Sequence, residues 1–226
     1  MKKIILVVAV LMAGFLQESF AQTNDGVKVG IKGGYNVFGW QGETVKSFGN
    51  LLEYTNGNAE TRMRQGFHVG GYLSIPLANG FELEPGVQYS QKGMVLEGRV
   101  PGDAAQFANA KVTLTNKAEY IDVPLLAKVY IGEGFNLFAG PQVSFLLSNK
   151  VNVNAGAFGF SAYNNDFEWQ NSQRKVDLGM SAGAGYQFQN GLNLGGSYDM
   201  GLTTLDDNAS YKSYNHGFKA SVGFRF

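Results

Sequence analysis

From residue 27 to residue 226 the chain alternates bulky apolar side chains with small or polar ones. The last stretch is the clearest. Tyr214, His216, Phe218, Ala220, Val222, Phe224 and Phe226 share one parity, and Asn215, Gly217, Lys219, Ser221, Gly223 and Arg225 the other. Side chains alternate faces along a strand, so a period of two means a strand with one greasy and one polar face. The same reading predicts strands over roughly 27–38, 65–77, 81–92, 118–131, 135–147, 175–188, 192–202 and 214–226, eight in all.

The connections alternate in length. Segments 78–80, 132–134 and 189–191 are tight and carry Asn-Gly or Gly-x-Gly, which supply the positive φ of hairpin turns. Segments 39–64, 97–115, 149–173 and 203–213 are longer and polar. Short turns on one rim, long loops on the other and an even strand number are expected of an outer-membrane barrel. The predicted fold is all-β: an eight-stranded antiparallel up-and-down transmembrane β-barrel, with both termini on the short-turn rim.

Alternation alone does not say which face is outside. A secreted lipocalin-like carrier would turn the apolar face inward. Two features favour the opposite orientation. The polar face is rich in glycine (Gly30, Gly34, Gly70, Gly183, Gly217), which makes room in a narrow lumen. Apolar-face aromatics gather at the strand ends: Phe81, Phe135, Phe188 and Phe226 at the turn rim, Tyr35, Phe67, Tyr89, Phe145, Tyr198 and Tyr214 toward the loops. Two such rings match interfacial girdles. The charges then fall inside. Lys32, Lys92, Lys128, Lys219 and Arg225 face Glu82, Glu84, Asp122, Asp177 and Asp199, with Lys28 and Lys175 on the same parity. The expectation is a polar network plugging the lumen; a narrow ion path is the alternative.

Met1-Lys2-Lys3, the apolar run from Ile4 to Leu16 and Ser19-Phe20-Ala21 read as a secretory signal cleaved after Ala21, leaving a barrel domain at 22–226. Export places the barrel in the bacterial outer membrane. Phe224 and Phe226 then read as a carboxyl-terminal signal for the barrel assembly machinery, with outer-membrane lipid as the other partner. Equal numbers of basic and acidic residues, 18 each, give no electrostatic case for nucleic acid. The absence of cysteine excludes thiolate metal sites and thiol catalysis. No cofactor is expected.

Several stretches resemble the PorT-like outer-membrane β-barrel family of Bacteroidota. They are Val29-Gly30-Ile31-Lys32-Gly33-Gly34-Tyr35-Asn36, Gly66-Phe67-His68-Val69-Gly70-Gly71-Tyr72, and Leu83-Glu84-Pro85-Gly86-Val87-Gln88-Tyr89-Ser90-Gln91-Lys92-Gly93. Tyr120-Ile121-Asp122-Val123-Pro124-Leu125-Leu126-Ala127-Lys128 and Phe138-Ala139-Gly140-Pro141-Gln142 follow in order. The resemblance implies an eight-stranded barrel without catalytic residues. The secretion role of the name-giving member has no counterpart in the loops of this chain and is not carried over.

Two histidines limit the catalytic options. His216, with Ser210 or Ser213 and Asp206 or Asp207, is the one conceivable Ser/His esterase set of a lipid-modifying enzyme. An interfacial His beside Tyr214 is the plainer reading. His68 belongs to the inner face near the loop rim. The loops carry Trp40, Tyr54, Phe158, Phe160, Tyr163, Phe167 and Trp169 among Asn, Ser and Gly, a composition suited to recognising a protein or glycan. The alternative is that these rings pack together in extended hairpins. The function expected is therefore a non-enzymatic envelope protein that is structural or acts through its loops.

Overall fold

A computed structural model describes residues 26–42, 59–99, 110–157, 160–168, 174–205 and 212–226. Ten strands are present among them: β1 (Lys28–Gly42), β2 (Ala59–Ala78), β3 (Phe81–Lys92), β4 (Met94–Arg99), β5 (Lys111–Ile131), β6 (Phe135–Ala157), β7 (Phe160–Glu168), β8 (Val176–Gln187), β9 (Leu192–Gly201) and β10 (Ser213–Arg225). Antiparallel pairing runs β1–β2–β3–β5–β6–β8–β9–β10 and closes from β10 back onto β1, with Gly33 opposite Val222 and Val37 opposite Phe218. Closure leaves the ring without an edge, and every ladder bond is made between strands, as hydrocarbon requires. The ring has eight strands, as the alternation predicts.

The two additional strands lie where the sequence suggested loop. β4 continues the course of β3 beyond Gly93 and pairs with β2 and β5. Gly93 takes φ 139°, and a Cβ there would run into the Asn116 carbonyl, so glycine is required at this kink. β7 folds back on β6 across the expected loop 149–173, while β5 begins at Lys111 and β2 at Ala59. Hydrophobic alternation ends before the strands do, and backbone pairing continues on polar side chains. Asn152 Nδ2 donates to Asn164 Oδ1 and Asp166 Oδ1, each at 2.7 Å, and Lys117 Nζ reaches Asp166 at 3.2 Å.

The short turns carry Gly80 at φ 79°, Gly132 at φ 71° and Gly191 at φ 93°. Backbone bonds join them to neighbouring strands: Tyr130 N–H donates to Gly80 O at 2.7 Å and Arg225 N–H to Gly191 O at 2.8 Å.

The greasy face is outside. Ile31, Val69, Leu137, Phe218 and Val222 are each between 47% and 56% exposed, whereas Glu84 is 2% and Asp122 0% exposed. The orientation of a soluble carrier is the reverse of this. Interfacial aromatics pair along the outer surface, Phe67 with Tyr89 (centroids 5.6 Å) and Tyr198 with Phe218 (5.0 Å) at the loop end. At the turn end Phe224 packs edge-on against Phe226 at 5.2 Å, and Phe226 N–H donates to Val29 O. Lys28 and Lys175, which share the inner parity, stand exposed near the strand ends rather than in the sealed interior.

Candidate functional site

The lumen is built from one parity of every ring strand, and its charges sort into layers. Nearest the loops, Asp122 on β5 pairs with Lys92 on β3 (2.9 Å) and with Lys219 on β10 (3.2 Å), and Lys219 also reaches Asp199 on β9 at 2.6 Å. Hydroxyls complete the carboxylates: Ser90 Oγ donates to Asp122 and Ser181 Oγ to Asp199, each at 2.7 Å. Two cations and two anions therefore share one dry layer. An isolated buried ion costs several kcal/mol, so this layer is stable only as a complete set.

Asp177 sits beside this layer without a lysine or arginine within bridging distance among the described residues. Asn215 Nδ2 donates to it at 2.9 Å and Thr203 Oγ1 at 2.8 Å. Below, Glu84 bridges Lys32 (2.8 Å) and Lys128. At the turn end Arg225 pairs with Glu82 at 3.1 Å, and Tyr130 Oη donates to the same carboxylate at 3.1 Å. Of the ten charged residues in these layers, nine are in ion pairs.

Aromatic rings separate these charges; of them, the alternation puts Tyr120 on the inner face, while Phe38 and Phe138 are not singled out by it. Phe38, 1% exposed, lies under Lys92 (5.3 Å) and Lys219 (5.6 Å). Tyr120 faces Lys92 at 4.7 Å, Tyr72 faces both Lys32 (5.3 Å) and Lys128 (5.7 Å), and Phe138 faces Lys128 at 5.8 Å. An ammonium over a ring face is attracted to its quadrupole, more strongly where water is excluded. Parity was the available signal, since Phe38 continues the series of Lys32 and Asn36.

Among the described residues, the candidate Ser213–His216 pair does not meet. Ser213 and His216 are three positions apart on β10 and so point to opposite faces: Ser213 is buried inward and His216 stands outward beside Tyr198 (Oη to Nδ1 3.4 Å). Ser210, Asp206 and Asp207 lie outside the described residues. His68 is 1% exposed and its Nε2 shares a hydrogen bond of 2.8 Å with Ser221 Oγ. Of the loop aromatics, Trp40 is partly buried near the upper end of β1, while Phe160 (80%), Tyr163 (48%) and Phe167 (48%) are exposed on β7. Tyr54, Phe158 and Trp169 lie outside the described residues.

Solved structures with a similar course include Ail of Yersinia pestis (13% identity, 88% of this chain and 98% of that one, TM-score 0.47). They also include the Neisserial surface protein NspA (11%, 88% and 97%, 0.42) and OprG of Pseudomonas aeruginosa (10%, 88% and 95%, 0.33). No curated protein matches the sequence. The family model described as outer membrane protein β-barrel domain matches residues 20–207. A closed eight-stranded ring with an apolar exterior and this match together place the protein in the bacterial outer membrane, and the chain belongs to the outer membrane protein β-barrel domain family.

Proposed function

We propose that the protein is a non-enzymatic outer-membrane barrel with a plugged lumen, whose activity is surface interaction through the strands and loops beyond the membrane. The observation that carries this is the buried Lys92–Asp122–Lys219–Asp199 layer, set inside an eight-stranded ring, a size whose interior side chains can fill. In this reading residues 1–21 are a signal peptide, residues 22–226 form the barrel, and Phe224 and Phe226 engage the assembly machinery. Kinship with the PorT-like barrels belongs to the same reading and rests on the quoted motifs.

The β6–β7 ribbon supports the interaction role. It presents Phe160, Tyr163 and Phe167 beside hydrogen-bonded Asn and Asp side chains, the mix of rigid aromatic and adaptable polar contacts that suits a protein or glycan partner. Two measurements test the proposal. Planar-bilayer recordings of the refolded protein should show no channel events; a steady unitary conductance would replace the plug with a pore. Cross-linking on intact cells should capture neighbours that are lost when Phe160, Tyr163 and Phe167 are changed together to Ser. An unchanged set would remove the ribbon from the role.

A further inference from the structure

Between the upper ionic layer and the Arg225–Glu82 pair lies a cavity of about 60 Å³, lined by Lys32, Lys128, Glu84, Lys219 and Tyr72 among others. Its wall is charge-unbalanced. Lys219 is matched by Asp199 and Asp122, and Asp122 and Asp199 together balance Lys219 and Lys92. Glu84 alone serves both Lys32 and Lys128, which leaves one positive charge over. The carboxylate that balances the lumen as a whole, Asp177, lines a different and smaller cavity of about 10 Å³ beside Lys92 and Asn215.

We propose that this cavity is a binding site for one small monovalent inorganic anion of halide size, held between the Lys32 and Lys128 ammonium groups. Each ammonium has three N–H donors; Lys32 gives one to Glu84 Oε1, and Lys128 forms an ion pair with Oε2 of the same carboxylate. Two neutral donors on the wall are engaged elsewhere: Asn193 Nδ2 donates to Tyr72 Oη at 2.7 Å and Ser181 Oγ to Asp199 at 2.7 Å. The donors facing a guest include these two ammonium groups, beside the Lys219 ammonium, the Gln88 amide and the Tyr72 hydroxyl on the same wall. The volume accommodates roughly four waters, or one halide with part of its hydration shell.

The neighbouring mouth lies at the turn end. A mouth of about 670 Å³ carries Lys28, Arg225 and Tyr130, and Gln187 lines both this mouth and the inner cavity. Toward the loops the Lys92–Asp122–Lys219–Asp199 layer closes the path. The site lies on the periplasmic side of that layer, distinct from the loops that carry the proposed surface role.

Bromide is the probe. Crystals of the full mature chain grown in sodium bromide should give an anomalous peak within hydrogen-bond reach of both Nζ atoms, and an empty cavity would overturn the site. In detergent at constant ionic strength, replacing gluconate with bromide should raise the unfolding temperature in a saturable way. Lys128→Met leaves Lys32 and Glu84 one to one and should abolish that response, whereas Glu84→Gln doubles the surplus and should enlarge it. Equal responses in wild type and both variants would mean that bromide acts elsewhere, and the proposal fails. If Lys128→Met does not fold, the anomalous peak and the Glu84→Gln response decide. Phosphate that protects as well as bromide does would overturn the halide-sized, monovalent assignment.

Discussion

Gly217 on β10 faces Phe38 on β1 directly across the closing seam of the barrel, and a Cβ at 217 would stand 2.6 Å from Phe38 Cγ. The missing side chain is therefore the space that the ring occupies, and the ring in turn lies under Lys92 and Lys219. Gly30 stands in the same relation to the ring of Tyr72. Overpacking a filled interior costs typically about 1–3 kcal/mol. Gly217→Val should lower stability by that amount in urea titrations of the folded barrel in vesicles, followed by tryptophan fluorescence. Gly71→Ala, where the nearest atom to a new Cβ is Gly30 O at 3.6 Å, should change it little. Equal tolerance at both positions would contradict the packing described.

Asp122 is the hub of the upper layer. Asp122→Asn keeps the shape but removes the charge shared by Lys92 and Lys219, leaving Lys92 without its ion pair and Lys219 with Asp199 alone. Breaking a buried ion set by removing one partner costs about 3–5 kcal/mol. The double variant Lys92→Met with Asp122→Asn restores one cation to one anion, so it should lose less than the sum of the two single changes. A double-mutant cycle on urea midpoints measures this coupling. Strict additivity would mean that the layer is not an interdependent network.

Much of this architecture was legible in the alternation. A period of two puts Lys32, Glu84, Asp122 and Lys219 on one face and Ile31, Leu83, Ile121 and Phe218 on the other, so ring membership and lumen composition follow from parity. The partners of each charge were not legible. Lys219 meets Asp122 across 97 residues because the register between strands, not the sequence of either, sets the height of each side chain. The strands above the membrane escaped for another reason. The ladder of β6 and β7 is held by Asn152, Asn164 and Asp166, residue types that read as loop because they are rare inside sheets. Trp40 was assigned to a loop though it lies within β1, because the apolar signal ends before the strand does.

The outward face makes a separate demand. Val69 and Val222 are both register partners of Gly33, near the middle of the apolar band, and are 53% and 54% exposed. A cation placed there meets hydrocarbon and costs about 2–4 kcal/mol at mid-depth. Val69→Arg should weaken the barrel in vesicles by that amount. Val112→Arg, on the part of β5 that extends beyond the ring, should cost little. The check is the urea midpoint of each variant, read alongside the shift of the folded band on unboiled SDS gels. A tolerated arginine at residue 69 would mean that this face does not meet lipid.

The β6–β7 ribbon has its own acid sensitivity. Asp166 is exposed, and its hydrogen bond from Asn152, reinforced by Lys117, holds its carboxyl below the usual carboxylate range. A depressed folded value means that the contribution is present above the unfolded pKa, roughly 3.9, and is lost as pH falls through the folded one. Solvent screening keeps the effect local. The ribbon should therefore loosen in acid while the ring stays closed. Because the chain has no cysteine, a single spin label can be attached after Asn165→Cys without background. Its spectrum should sharpen between about pH 5 and pH 2, and Asp166→Ala should make it sharp at every pH. A label at Val222→Cys on the ring should not respond. A ribbon label insensitive both to acid and to Asp166→Ala would show that this carboxylate does not hold the two strands together.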